Sequence, residues 1–170
     1  KEFSTLLNSC GRLGKSSVGI GVCLNDKISK QKANEILAQF RIELITSLNW
    51  FYANRNSSFI IEKPGFVIIN AENNVRPSII GTLTSIISNS NLYSTNTILI
   101  SMAHTPEEDI KISTRICGRN KKTNLKQILN SITSLLGIES GGHNYAAGSI
   151  ITLEKEQEFM EEAKNSFEGM

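Results

Sequence analysis

The feature that most constrains this chain is a run of apolar side chains at Ala33, Ile36, Leu37, Phe40, Leu44, Leu48 and Phe51. Steps of three and four put them all on one stripe of an α-helix, a period no strand can use. Ser29 is positioned to cap the start, and the pattern fades at Asn54-Arg55-Asn56-Ser57-Ser58. A helix of about 25 residues is about 37 Å long. That length suits a connector between two lobes; a long core helix is the alternative.

The chain changes character on either side. Before the helix, Phe3–Leu7 reads as a short helix, followed by a Gly-rich turn and a strand over Val18–Leu24. After it, Lys63-Pro64-Gly65 is a turn signal and Phe66–Ile69 a buried strand. Pro77 suits the first turn of a helix whose apolar face is Ile79, Ile80, Leu83, Ile86 and Ile87, ending at Asn89-Ser90-Asn91. Thr97–Met102 and Lys111–Ile116 read as a hairpin around Thr105-Pro106-Glu107-Glu108. Asn124 caps a helix through Leu136, with Ile128, Leu129, Ile132 and Leu135 inward. The stretch 137–148 is Gly-rich, Ser149–Leu153 is a short strand, and Glu154–Phe167 is an amphipathic helix with Phe159, Met160 and Ala163 inward. Strands alternating with helices predict an α/β fold, a mixed β-sheet flanked by helices and preceded by the long connecting helix.

Composition removes several function classes. The 170 residues are 39% hydrophobic, enough for a core, and contain no apolar run long enough to span a bilayer. The opening Lys1-Glu2-Phe3 has no signal-peptide pattern and reads as a chain cut from a longer protein, which gives a cytoplasmic expectation. Cys10, Cys23 and Cys117 are odd in number and lack Cys-x-x-Cys spacing, so they read as small buried thiols rather than disulfides or zinc ligands. The only aspartates are Asp26 and Asp109, and the only histidines His104 and His143. A two-metal phosphoesterase holds its ions with several such ligands, so no catalytic or metal-ligating set is read here. His104 sits in a turn and is assigned a structural or merely exposed role.

Net charge is +2, but Arg115, Arg119, Lys121 and Lys122 cluster without an intervening acid, while Glu154, Glu156, Glu158, Glu161 and Glu162 gather in the tail. Alternate arginines in Ser113-Thr114-Arg115-Ile116-Cys117-Gly118-Arg119 can aim guanidinium forks at one phosphate; an exposed basic turn is the plain reading. In Ser140-Gly141-Gly142-His143-Asn144-Tyr145-Ala146-Ala147-Gly148, paired glycines let backbone amides approach an anion and His143 can add an imidazole N–H. A turn with a chance histidine is the alternative. Leu7-Asn8-Ser9-Cys10-Gly11-Arg12 offers Asn8 and Arg12 to a phosphate from a helix-to-turn segment; a structural turn is the alternative. Gly14-Lys15-Ser16 fails as a nucleotide-binding P-loop, because no glycine stands at Ser9 and no strand precedes it.

Leu7-Asn8-x-Cys10-Gly11-Arg12 together with Gly141-Gly142-His143-x-x-Ala146-Ala147-Gly148 resembles the RecJ-like single-strand nucleases of the DHH phosphoesterase superfamily, the archaeal branch most. Ser9 departs from the alanine usual in that motif. The resemblance implies that residues 1–27 end a catalytic DHH lobe, 28–62 form the connecting helix, and 63–170 are the DHH-associated substrate-binding domain. It implies substrate-phosphate roles for Arg12, Arg115, Arg119, Gly141, Gly142 and His143. It places the Mn or Mg ions on aspartates of a lobe preceding Lys1, so this part alone would not cut. The expected partner is single-stranded DNA or RNA, gripped by its backbone. Base stacking is expected to be limited, with Tyr145 the only aromatic inside a motif. Two rivals remain: a short-oligonucleotide phosphodiesterase, and a non-catalytic replisome partner resembling Cdc45 bound to GINS.

Overall fold

A computed structural model describes residues 2–118 and 123–168. The backbone divides into two compact units, residues 1–49 and 50–170, and the division falls inside the long helix.

The first unit holds α1 (Glu2–Arg12), α2 (Ser16–Cys23) and most of α3 (Lys27–Ala53). The strand expected over Val18–Leu24 is therefore a helix. The alternation of Val18, Ile20 and Val22 imitated a strand, but burial follows helical spacing: Gly19 and Val22 are inside while Ile20 is exposed. Gly19 packs closely on α1, where an added Cβ would sit in van der Waals contact with Cys10 Cβ at 3.4 Å. Cys10, Val22 and Ala33 form this unit's small core, with Leu6, Leu7, Val18 and Ile36 packed on it.

The long helix is 27 residues, and every position of the expected stripe from Ala33 to Phe51 is buried or half-buried. Its start lies earlier than Ser29. Asp26 is the capping residue, its Oδ2 accepting the Ser29 N–H at 2.7 Å. Hydrogen bonds from Ser29 hold the Asp26 carboxyl below its ordinary pKa. Of the three cysteines, Cys10 and Cys117 are buried as expected, with both thiols raised in pKa by burial, whereas Cys23 is exposed.

The second unit is a six-stranded mixed sheet with helices on both faces. Its strands are β1 (Ile60–Lys63), β2 (Phe66–Asn70), β3 (Ile98–His104), β4 (Asp109–Ile116), β5 (Gly141–His143) and β6 (Ala146–Thr152). They lie in the order β1-β2-β3-β4-β6-β5. Only β2 and β3 run parallel, joined across the sheet by α4 (Pro77–Ser88); the other neighbours are antiparallel.

One sheet face presents Phe66, Ile68, Ile100, Met102, Ile110 and Ile112 to α5 (Leu125–Leu135) and α6 (Glu156–Glu168). Phe159 and Ala163 of α6 are fully buried there, and Phe167 stacks on Phe66 at 5.2 Å. Asn124 caps α5 through the Gln127 N–H, as its position predicts. Leu135 is a correction: it is 66% exposed, and Leu125 and Leu136 take inward places instead. The cap sets the helix phase, and Leu135 falls outside the stripe through Leu125, Leu129 and Ile132.

Helix α4 covers the opposite face over β3 and β4. Its Thr84 hydroxyl donates to Ile80 O at 2.6 Å and meets Ser101 Oγ at 2.8 Å. His104 at the end of β3 faces Glu156, with Nε2 3.2 Å from each carboxylate oxygen, and Asn70 donates to the same carboxylate at 2.6 Å. His104 thus ties the start of α6 to the strand ends, the structural role expected of it. Among the described residues no helix is long and apolar enough to cross a membrane.

Candidate nucleic-acid interface

The Gly-rich stretch is a two-strand element rather than a free loop. Residues 141–143 and 146–148 pair as a tight hairpin, so β6 begins three residues earlier than the Ser149 expected from the sequence. Small residues hid the strand: Ala146, Ala147 and Gly148 carry no β-branched signal. Gly142 makes the hairpin possible, because its φ is +135° and a Cβ there would come within 2.3 Å of Ala146 O. Gly148 lies where a Cβ would press Ile112 O at 2.8 Å. At Gly141 nothing lies within 4 Å of an added Cβ. The turn is anchored from below, Asn144 O accepting the Leu125 N–H at 3.1 Å.

Register then decides which side chains share a face. Arg115 on β4 is opposite Ala146 on β6, and Ala146 is opposite His143 on β5. Arg115 and His143 therefore stand in one cross-strand row with a methyl group between them. Two strand spacings put their backbones about 10 Å apart. The next row is Ser113, Gly148 and Gly141. The floor between the arginine and the histidine is thus built from the smallest side chains available.

Each functional group is oriented. Arg115 Nη1 donates to Ser113 Oγ at 3.2 Å and to Thr114 O at 2.8 Å. Its guanidinium lies along the seam with α4, where Gly81 leaves room: a Cβ there would meet Ser113 Oγ at 3.3 Å and Arg115 Nη2 at 3.8 Å. The seam opens into a cavity of about 540 Å³ that Arg115 and Tyr145 line together. His143 is exposed, and its Nδ1 accepts the Tyr145 backbone N–H at 3.3 Å. An N–H can only donate, so Nδ1 is the acceptor and the neutral ring carries its proton on Nε2. That leaves Nε2–H as a directed donor. The Tyr145 ring lies edge-on to His143 at 6.4 Å and connects the two ends of the row.

Of the residues singled out in the sequence, Arg115, Gly141, Gly142 and His143 are brought together. Arg12 sits exposed at the end of α1 in the first unit, with Asn8 one turn before it on the same helix. Ser9 beside them is fully buried and donates to Leu6 O at 2.7 Å, so a hydroxyl is accommodated within the helix. Arg119, with Lys121 and Lys122, lies outside the described residues. Gly81 and Tyr145's bridging position were not foreseen. A glycine inside an otherwise apolar helix was the available signal for the first. Among the described residues no group of three His, Cys, Asp or Glu side chains could hold a metal ion. The Mn or Mg implied by the resemblance has no ligand set here, and no cleavage step is assigned to these residues.

Comparison with known proteins places the family and the fold. The DHHA1 domain family matches residues 64–169. An uncharacterized protein of Methanocaldococcus jannaschii is 27% identical over 164 residues, covering 93% of this chain and 33% of its own length. The fold matches RecJ from Thermus thermophilus, solved with Mn2+, at a TM-score of 0.72 and 14% identity over 98% of this chain and 24% of that one. It matches CDC45 from Entamoeba histolytica at a TM-score of 0.60 and 10% identity, over 80% of this chain and 29% of that one. The chain thus spans about a third of the curated relative and a quarter of RecJ.

Proposed function

Because this chain belongs to the DHHA1 domain family, we propose that it grips the sugar-phosphate backbone of single-stranded nucleic acid for a RecJ-like, metal-dependent exonuclease. The observation that carries this reading is the row Arg115–Ala146–His143 across β4, β6 and β5. Arginine offers a planar fork suited to phosphate oxygens, and His143 adds a single directed Nε2–H. Strand β5 is the sheet edge, so part of its backbone amides faces away from β6 and toward a ligand. The methyl and glycine floor lets a phosphate settle against backbone without displacing a side chain. The family resemblance adds phosphate-binding roles for Arg12 and Arg119 to this reading. On this reading any Mn or Mg ions would be held by residues other than those described and would supply the activated water, while this chain's task would be to hold the phosphodiester still.

The test is fluorescence anisotropy of a labelled single strand of about 15 nucleotides over a salt series. Wild type is expected to bind and to weaken steeply with salt. Arg115→Ala should lose about 10-fold or more in affinity and lower the salt slope by about one. His143→Ala should lose less, and both variants should keep wild-type circular dichroism. No binding at low salt would sink the grip. It would leave the second reading that the CDC45-like fold supports, a replisome partner docking GINS. Affinity that stops growing with strand length beyond a few nucleotides would favour a short-oligonucleotide phosphodiesterase.

A further inference from the structure

The cavity beside Arg115 extends past what a phosphate needs. About 540 Å³ falls in the range of small-ligand sites, about 300–1,000 Å³. Besides Arg115 and Tyr145, its wall is formed by Ser85, Ser88 and Asn89 at the end of α4, and by Ile116. Among the described residues no carboxylate is in that lining. The lining therefore combines a cation at Arg115, apolar and aromatic surface at Ile116 and Tyr145, and neutral polar groups at the end of α4.

The polar end has a definite sense. The last carbonyls of α4 are already occupied. Ser85 O accepts Asn89 Nδ2 at 2.6 Å and the Ser88 hydroxyl at 2.9 Å, while Ile86 O accepts the Asn89 backbone N–H at 3.2 Å. A carbonyl only accepts, so the Asn89 amide turns its NH2 onto Ser85 and its Oδ1 away. Among the described residues no donor reaches Oδ1, and Asn89 is exposed. The group offered to a ligand is thus an acceptor. Tyr145, 43% exposed, keeps ring surface open beside it. An occupant that fits all three parts carries a phosphate, a flat aromatic ring and an N–H donor on the ring's edge.

We propose that this cavity is a nucleobase subsite, in which the base of the nucleotide held at Arg115 stacks on Tyr145 and donates an exocyclic amino N–H to Asn89 Oδ1. The proposal rests on the phosphate-grip reading and adds base selectivity to it. Cytosine and uracil are nearly isosteric, but cytosine presents an amino donor where uracil presents a carbonyl acceptor. Facing Asn89 Oδ1, the uracil oxygen is an acceptor against an acceptor, so cytosine is favoured.

The experiment compares this 170-residue chain on three labelled strands of equal length: oligo-dC, oligo-dU and an abasic backbone. Oligo-dC should bind about 3-fold to 10-fold tighter than oligo-dU, the range of one neutral hydrogen bond. The abasic strand should bind about 10-fold weaker than oligo-dC. Asn89→Ala should equalise dC and dU. Tyr145→Leu should bring both down to the abasic level, and Tyr145→Phe should bind like wild type, which separates stacking from folding of the hairpin. Equal wild-type affinity for all three strands, with Arg115→Ala still weakening each, overturns the base subsite and leaves the phosphate grip standing. Strand binding that Arg115→Ala does not change overturns both.

Discussion

The two faces of the sheet are made from the same strands, yet they use side-chain volume in opposite ways. Under α5 and α6, alternate positions carry isoleucine, methionine and phenylalanine packed to full burial. On the other face, β4, β6 and β5 carry Ser113, Arg115, Ala146, Gly148, Gly141 and His143, and α4 packs mainly on β3 and β4. The first face excludes water and supplies stability. The second leaves its outer strands uncovered and lined largely with small residues. Period-two alternation lets one strand do both, because neighbouring residues never share a face.

The largest effect expected on this contrast is at the packed face. Phe159→Ala should cost about 3–5 kcal/mol in urea unfolding, since its ring is fully buried among α5, α6 and the sheet. Little or no loss would mean that face is not the stabilising one. Next comes Gly142→Ala, which places a Cβ 2.3 Å from Ala146 O at a φ of +135°. The strain is about 1–3 kcal/mol. It should appear mainly as lost strand binding, because β5 detaches at the sheet edge while the core face survives. Equal losses of binding and global stability would deny that separation.

Gly81→Ala sharpens the comparison at the seam. The added methyl favours the helix by about 1 kcal/mol. It must also displace Ser113 Oγ, 3.3 Å away, and with it the Arg115 guanidinium. Thermal stability should change little while strand affinity drops several-fold. A variant that binds as tightly as wild type would show that Ser113 does not position Arg115.

The smallest effect lies away from both faces. Glu62 on β1 is gripped by Arg55 through two bonds of 2.7 and 2.8 Å and accepts the Tyr93 hydroxyl at 2.7 Å. The Arg55 guanidinium, with help from Tyr93, holds the Glu62 carboxyl below its ordinary value of 4.5, against the opposing effect of burial. A lowered folded-state pKa means the stabilisation is complete above the unfolded value and is lost as pH falls through the folded one. Solvent screens a pair exposed by about a third, so Glu62→Gln should cost about 1 kcal/mol or less near neutrality. The variant should also lose less stability than wild type on acidification below the ordinary value of 4.5. Identical acid limbs would show the pair contributes nothing.

Local pattern carried far in this chain. The stripe from Ala33 to Phe51, the turn at Pro64-Gly65, the start at Pro77 and the cap at Asn124 are each fixed by spacing or by one residue's backbone chemistry, so the elements followed. Arg115 and the Gly141-Gly142-His143 triplet were singled out by residue type alone, and the structure places them on neighbouring strands of one sheet. Val18–Leu24 and Ala146–Gly148 misled because glycine and alanine have weak preferences, and their conformation was settled by what they pack against.

By itself, the sequence determined an α/β chain with a long leading helix, a small-residue hairpin carrying a histidine, and a strand carrying an arginine. Only the tertiary structure decided that Ala146 stands between Arg115 and His143, that Gly81 lies against Ser113 and Arg115, and that Asn89 and Tyr145 line one cavity. The physical reason is that these relations are set by strand register and helix seating between residues far apart in the chain. A one-residue slip of β6 against β4 would break the row, putting Ala146 and its neighbours on the other face from Arg115.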